Sequence, residues 1–123
     1  MTLAYVDLDG FKRVNDLQGH AQGDNVLRLT GRTLATNLRA ADVVARLGGD
    51  EFAVLVLDAD PATRDATVAR FAEALNGALA PWGVSATVGT ASSTQDTVSV
   101  AELLVEADRD MYAAKAARDS GSR

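Results

Sequence analysis

The chain has 123 residues, 47% of them hydrophobic and 24% charged, with 12 basic against 17 acidic side chains and a formal net charge of −5. That is the balance of one soluble globular domain, and its acidic excess weighs against nucleic acid as a partner. Cysteine is absent, so disulfides and thiolate metal sites are excluded and a reducing, cytoplasmic setting is the expectation. No apolar run approaches the ~18 residues of a membrane span, and the opening TLAYVDLD lacks the basic flank and long apolar stretch of a signal peptide.

In chain order, Leu3 to Asp7 reads as a short buried strand. GFKRVNDLQG follows, with Phe11, Val14 and Leu17 three apart, which predicts a short helix. GHAQGD reads as a loop. Asp24 is then placed to N-cap a helix reaching about Arg39, with Leu27, Leu34 and Leu38 on one face. Val43 to Leu47 and Phe52 to Leu57 are strands on either side of GGDE, and DADP is a turn. Val68, Phe71, Ala72, Leu75 and Leu79 form a helical stripe. Val84 to Ala91 is a strand, and Val100, Leu103, Ala107, Met111 and Ala114 mark a last helix before DSGSR, which reads as a frayed tail. The order β-α-α-β-β-α-β-α predicts an α+β fold, a mixed sheet with packed helices in a ferredoxin-like arrangement.

The strip RLGGDEF, Arg46 to Phe52, interrupts two good strands with glycines and adjacent acids. Gly48 and Gly49 suit a tight reversal by themselves, and Phe52 reads as core. Asp50 and Glu51 repel one another, and neither favours a strand. The first strand and the Val43 strand are joined by helices, so they are expected to run the same way and to end on one edge of the sheet. That edge then gathers Asp7, Asp9, Asp50 and Glu51, unless Gly10 turns the chain near Asp9. A hard divalent cation such as Mg²⁺ would resolve the repulsion and leave room for phosphate oxygens, and two such ions can stabilise both ends of a phosphoryl transfer. DLDGFKRVND lacks the ligand spacing of a calcium-binding EF-hand loop.

Together, YVDLDGFKRVNDLQGHAQGDNVL, RLGGDEFAVLV and ADRDMYAAKAARD resemble the GGDEF domain of diguanylate cyclases. The resemblance implies the palm fold of nucleotide cyclases and the condensation of two GTP into cyclic di-GMP and pyrophosphate. It further implies two Mg²⁺ (or Mn²⁺) per half-site, and a homodimer in which two half-sites meet. It assigns Asp7, the Leu8 carbonyl and Glu51 to the metals, and Asp50 to the second metal or to the attacking 3′-hydroxyl as base. Gly10 and Phe11 would offer backbone N–H groups to the phosphates, and Gly48 and Gly49 would allow the nucleotide close to the backbone. Lys12 and Lys115 would face the triphosphate, and Asn15 and Asp24 the guanine edge. Asp24 and Asn15 read equally as helix-end residues, and the two lysines as solvated charges. His20 and Trp82 carry no chemistry in this reading.

RAAD, Arg39 to Asp42, stands where the family carries an inhibitory product site; Arg70 is a possible assistant there. The family's D-x-L-T-G-L-x-N-R segment is not found ahead of the first strand, and Arg118 falls where the family has Gly, within reach of phosphates if the helix ends early. The expected organisation is a domain over residues 1–118 without that segment, then a disordered tail over 119–123. A noncatalytic module that binds cyclic di-GMP or GTP is the alternative.

Overall fold

The structure, a computed structural model, describes residues 1–93 and 99–121, with side chains through Arg118. Eight main elements follow in order: β1 (Thr2–Asp9), α1 (Phe11–Gln18), α2 (His20–Thr36), β2 (Val43–Gly48), β3 (Glu51–Val56), α3 (Pro61–Leu79), β4 (Ser85–Ser92) and α4 (Val100–Gly121). A short 3-10 turn, Ala80–Trp82, joins α3 to β4. The strands lie in the order β2-β3-β1-β4. Every neighbouring pair is antiparallel, so the α+β expectation holds while the sheet is antiparallel rather than mixed. Both β1 and β2 are antiparallel to β3 and therefore point the same way, as expected for strands joined by helices.

β1 is one of the two inner strands, with β3, and its alternation buries both faces. Ala4, Val6 and Leu8 join the larger core with Phe52, Val54, Phe71, Leu75 and Leu79. Leu3 and Tyr5 face the other way, against Leu103, Ala107 and Met111 of α4. Helices α1, α2 and α3 thus cover one face and α4 the other. β2 is a thinly covered edge on which only Val44 is half-buried.

α3 starts as its sequence dictates. Asp60 accepts a hydrogen bond from the Thr63 N–H at 2.7 Å, and Pro61 fills the first helical turn. Of its predicted stripe, Phe71, Leu75 and Leu79 are buried and Val68 and Ala72 pack partly against the core.

The expected GHAQGD loop is helical instead. Gly19, at φ 89°, reverses the chain alone, and α2 begins at His20. Asp24 is accordingly inside α2 and not its N-cap, and α2 ends at Thr36 rather than near Arg39. Gly23 sits in this helix because a Cβ there would lie 1.8 Å from Asn15 Oδ1 of α1. Gly89 has the same role against α4: a Cβ would fall 2.2 Å from both the Ala107 carbonyl oxygen and the Met111 nitrogen. At the end of the chain, the α4 backbone continues through Gly121, and the rest of the expected 119–123 tail lies outside the described residues. Among the described residues no helix is long and apolar enough to cross a membrane.

Candidate functional site

β1 runs through Asp9 before Gly10, at φ 88°, turns the chain into α1. Asp7 therefore stays on the Tyr5 face of the strand and lies directly opposite Glu51 of β3 in the antiparallel register. The Leu8 N–H donates to the Asp50 carbonyl at 3.1 Å, fastening the β2–β3 turn to β1. As a result Asp7, Asp50 and Glu51, all half-buried, each offer a carboxylate oxygen within 4.8 Å of the others. Like charges placed opposite one another cost stability. Burial, and then the charge of Asp7, raise the Asp50 carboxyl above its ordinary range, with Lys115 pulling against them. Burial also pushes the Tyr5 hydroxyl well up, reinforced by the neighbouring Glu51 carboxylate and by the other nearby acids. The donor set is oxygen alone, close enough for a bridging ion, and this fits Mg²⁺ or Mn²⁺.

Positive charge comes from α4. Lys115 Nζ pairs with Asp7 and lies 2.9 Å from Asp9. Burial alone would lower the Lys115 ammonium, but hydrogen bonds to Asp7 and Asp9 outweigh it and raise it. Arg118 Nη1 lies 3.0 Å from Asp9 Oδ2 and 3.0 Å from Thr87 Oγ1, and the Thr87 hydroxyl donates to Asp9 at 2.5 Å. Burial would raise the Asp9 carboxyl; its bonds from Lys115, Thr87 and Arg118 hold it below the usual range instead.

The remaining expected residues fall into two groups. Phe11 is a core side chain, and the N–H groups of the first turn of α1, which begins with it, have no intrahelical acceptors. Lys12 is exposed. Asn15 packs its amide on Gly23, the neighbour of the exposed Asp24, so the two candidate guanine contacts lie on adjoining helices. A Cβ at Gly48 or Gly49 would meet nothing within 4 Å. Gly49 has φ +27°, and Arg46 Nη2 holds its carbonyl at 2.9 Å. Gly48 has neither a left-handed backbone nor a close neighbour within the chain to require it.

The second group is apart from the acid cluster. The Asp42 side chain has no exposed surface, whereas Arg39 is 33% exposed. Asp42 accepts from Arg39 Nε (3.2 Å), Arg39 Nη2 (3.0 Å), the Arg39 backbone N–H (3.0 Å) and the Leu57 N–H (3.1 Å). Arg39 also donates to the Leu57 carbonyl. Burial would raise the Asp42 carboxyl, but these bonds hold it below its ordinary range. Arg70 donates to the Asn37 carbonyl at 2.8 Å, beside the same turn. A separate groove of about 820 Å³, lined by Asn25, Arg28, Leu29, Gly31, Arg32 and Trp82, shares no residue with either group.

Tyr5, Thr87 and the bonded state of Asp9 are what sequence reasoning missed. Tyr5 was open to view as the residue two before Asp7 on one strand face. Thr87 was not, because it faces Asp7 only once β4 pairs with β1.

Residues 1–120 match the family described as the diguanylate cyclase GGDEF domain. The chain is 38% identical over 115 residues to MucR, a bifunctional diguanylate cyclase and cyclic di-GMP phosphodiesterase of Pseudomonas aeruginosa, covering 90% of this chain and 17% of MucR. It is 34% identical to the diguanylate cyclase DgcS of Shewanella oneidensis, covering 94% of this chain and 39% of DgcS. The chain thus spans well under half of these relatives. Among solved structures, the GGDEF domain of TpbB (YfiN) from P. aeruginosa superposes with a TM-score of 0.77 at 36% identity, covering 93% of this chain and 70% of that one. With an antiparallel palm-like sheet, an acid cluster on the GGDEF hairpin and a family match over nearly its full length, the chain belongs to the GGDEF family of diguanylate cyclase domains.

Proposed function

We propose that this chain condenses two GTP into cyclic di-GMP in a cytoplasmic setting, each half-site of a homodimer presenting one nucleotide to the other. The observation that carries the reading is the convergence of Asp7, Asp50 and Glu51 beside Lys115. Asp7, Glu51 and the Leu8 carbonyl are the residues to hold two Mg²⁺ or Mn²⁺ ions, with Asp50 beside the second. Bound there, the ions supply Lewis-acid charge at the phosphate oxygens. Lys115, Lys12 and Arg118 bring positive charge to the triphosphate, and the N–H groups of the turn from Gly10 into Phe11 donate hydrogen bonds to its oxygens. Gly48 and Gly49 leave the backbone open to the nucleotide. Asn15 and Asp24 read the guanine edge, where a carboxylate accepts from N1–H and the 2-amino group.

In each half-reaction a 3′-oxygen forms a bond to the α-phosphorus of the other GTP, the α–β anhydride bond breaks, and pyrophosphate leaves. Asp50, whose proton affinity is raised by burial and by Asp7, is suited to take the 3′-hydroxyl proton. A second homodimer half-site is needed because the two nucleotides must face each other for both attacks to close the ring.

Arg39 and Asp42 form the proposed product-inhibition site. The exposed part of Arg39 suits a phosphate or a guanine face, and Asp42 reaches a guanine edge only by exchanging its present bonds to Arg39.

The test is to incubate the purified chain with GTP and Mg²⁺ and separate the products. Cyclic di-GMP and pyrophosphate are expected, and Asp50→Asn should lower the rate at least about 100-fold. A folded chain that binds GTP but yields no cyclic di-GMP at any protein concentration would establish a binding module in its place.

A further inference from the structure

Asp7 and Asp9 stand two apart on one face of β1, and by sequence they are equivalent candidates for one acidic edge. Their surroundings differ. Asp7 is part of the three-carboxylate cluster with Asp50 and Glu51, and Asp9 is not. Asp9 instead receives three donors: the Thr87 hydroxyl at 2.5 Å, Lys115 Nζ at 2.9 Å and Arg118 Nη1 at 3.0 Å. Arg118 also reaches Thr87 Oγ1, closing a network across β1, β4 and α4.

We propose that Asp9 is a positioning residue, an anionic anchor that holds the Lys115 ammonium and the Arg118 guanidinium at the rim of the acid cluster and binds no metal ion itself. The physical case is one of charge and freedom. A fourth carboxylate beside Asp7 would add repulsion toward its neighbours and toward any polyphosphate, unless its charge is spent on cations. Here it is spent on two. Lys and Arg are also the side chains with most rotamer freedom to lose on being fixed. A carboxylate that is itself held by Thr87 fixes both before an anion arrives, so less ordering remains to be done on binding. The two cations lie three residues apart on α4, so one anchor on β1 serves both.

The proposal rests on the reading that the site takes a nucleoside triphosphate, and its test separates the two. In the full chain, Mn²⁺ binding without nucleotide and GTP binding with Mn²⁺ are measured by calorimetry. Asp9→Asn keeps the shape and an acceptor for Thr87 but loses the charge. It should weaken GTP about tenfold, the loss of a charge-assisted bond, while Mn²⁺ affinity stays within about threefold of wild type. Asp7→Asn should instead lower Mn²⁺ affinity by about tenfold or more. Thr87→Val, which loosens the anchor without removing charge, should weaken GTP in the same direction by about two- to threefold. Combining Asp9→Asn with Arg118→Ala should weaken GTP by less than the product of the single effects, because both act through one contact.

A parallel loss of Mn²⁺ affinity in Asp9→Asn and Asp7→Asn would make Asp9 a metal ligand and overturn the proposal. So would unchanged GTP affinity in both Asp9→Asn and Thr87→Val. If wild type binds Mn²⁺ but no GTP, the nucleotide reading fails and the anchor, as a device for that ligand, fails with it; only the Mn²⁺ arm would then tell Asp9 from Asp7.

Discussion

The two ends of β2 carry aspartates in opposite states. Before its first residue, Asp42 has a wholly buried side chain that accepts four hydrogen bonds from Arg39 and Leu57. After its last, Asp50 joins Glu51 and Asp7 in a half-buried cluster where burial and Asp7 oppose its charge. A carboxylate whose lone pairs are filled from within the chain is a structural pin: here it ties the start of β2 to the end of β3. Carboxylates pressed together, with Lys115 paired to Asp7 alone among the three, leave charge that the described residues do not answer, as a cation from outside would. Burial alone does not separate the two roles; how fully the chain answers the charge does.

The largest expected effect comes from moving the helix that answers it. Gly89→Ala would set a Cβ against the backbone of Ala107 and Met111, displacing α4 with Lys115. A loss of about 3 kcal/mol in urea unfolding is expected, the upper range for overpacking against groups that cannot turn aside. A loss under about 0.5 kcal/mol would show that α4 is not held so close to the sheet. Next, Asp42→Ala leaves the Leu57 N–H and Arg39 without their acceptor, and should cost about 2–3 kcal/mol. The smallest change is at the other end of the strand and has the opposite sign. Asp50→Asn should stabilise the fold by about 0.5–1 kcal/mol, since it removes a charge that the folded state disfavours. Destabilisation by that variant would put Asp50 among the pins and end the contrast.

Acidity sharpens the same contrast. The Asp42 carboxyl lies below its ordinary value, so its contribution is complete above the unfolded carboxylate range near pH ~4 and is lost as the pH falls through the folded value. The Asp50 carboxyl lies above its ordinary value, so its cost is present at neutral pH and is relieved as the pH falls through that raised value. Unfolding curves from pH 7 downward should therefore show the Asp50→Asn advantage shrinking first, while the Asp42→Asn deficit persists to lower pH. Loss of the Asp42→Asn deficit first would reverse the assignment.

Much of this was legible in the residues. β1, the GGDEF hairpin and the stripes of α3 and α4 follow from periodicity, and the acids of the cluster stand out because strands do not otherwise tolerate them. The start of α2 was not legible: Gly19 and Gly23 look alike as punctuation, yet Gly19 turns the chain and Gly23 makes room for Asn15 within a helix. The Arg39–Asp42 string is as compatible with a ligand as with an internal pair, and only the burial of Asp42 reveals the bonds it already makes.

By itself, the sequence determined which residues could repel, alternate or coil, since those properties reside in each side chain and its near neighbours. Tertiary structure alone decided that Asp7 would join Asp50 and Glu51 in the acid cluster while Asp9 would meet Thr87, 78 positions on, and Arg118, 109 positions on. Strand register and helix docking bring such distant groups together, and no local pattern records which of two matching aspartates will receive them.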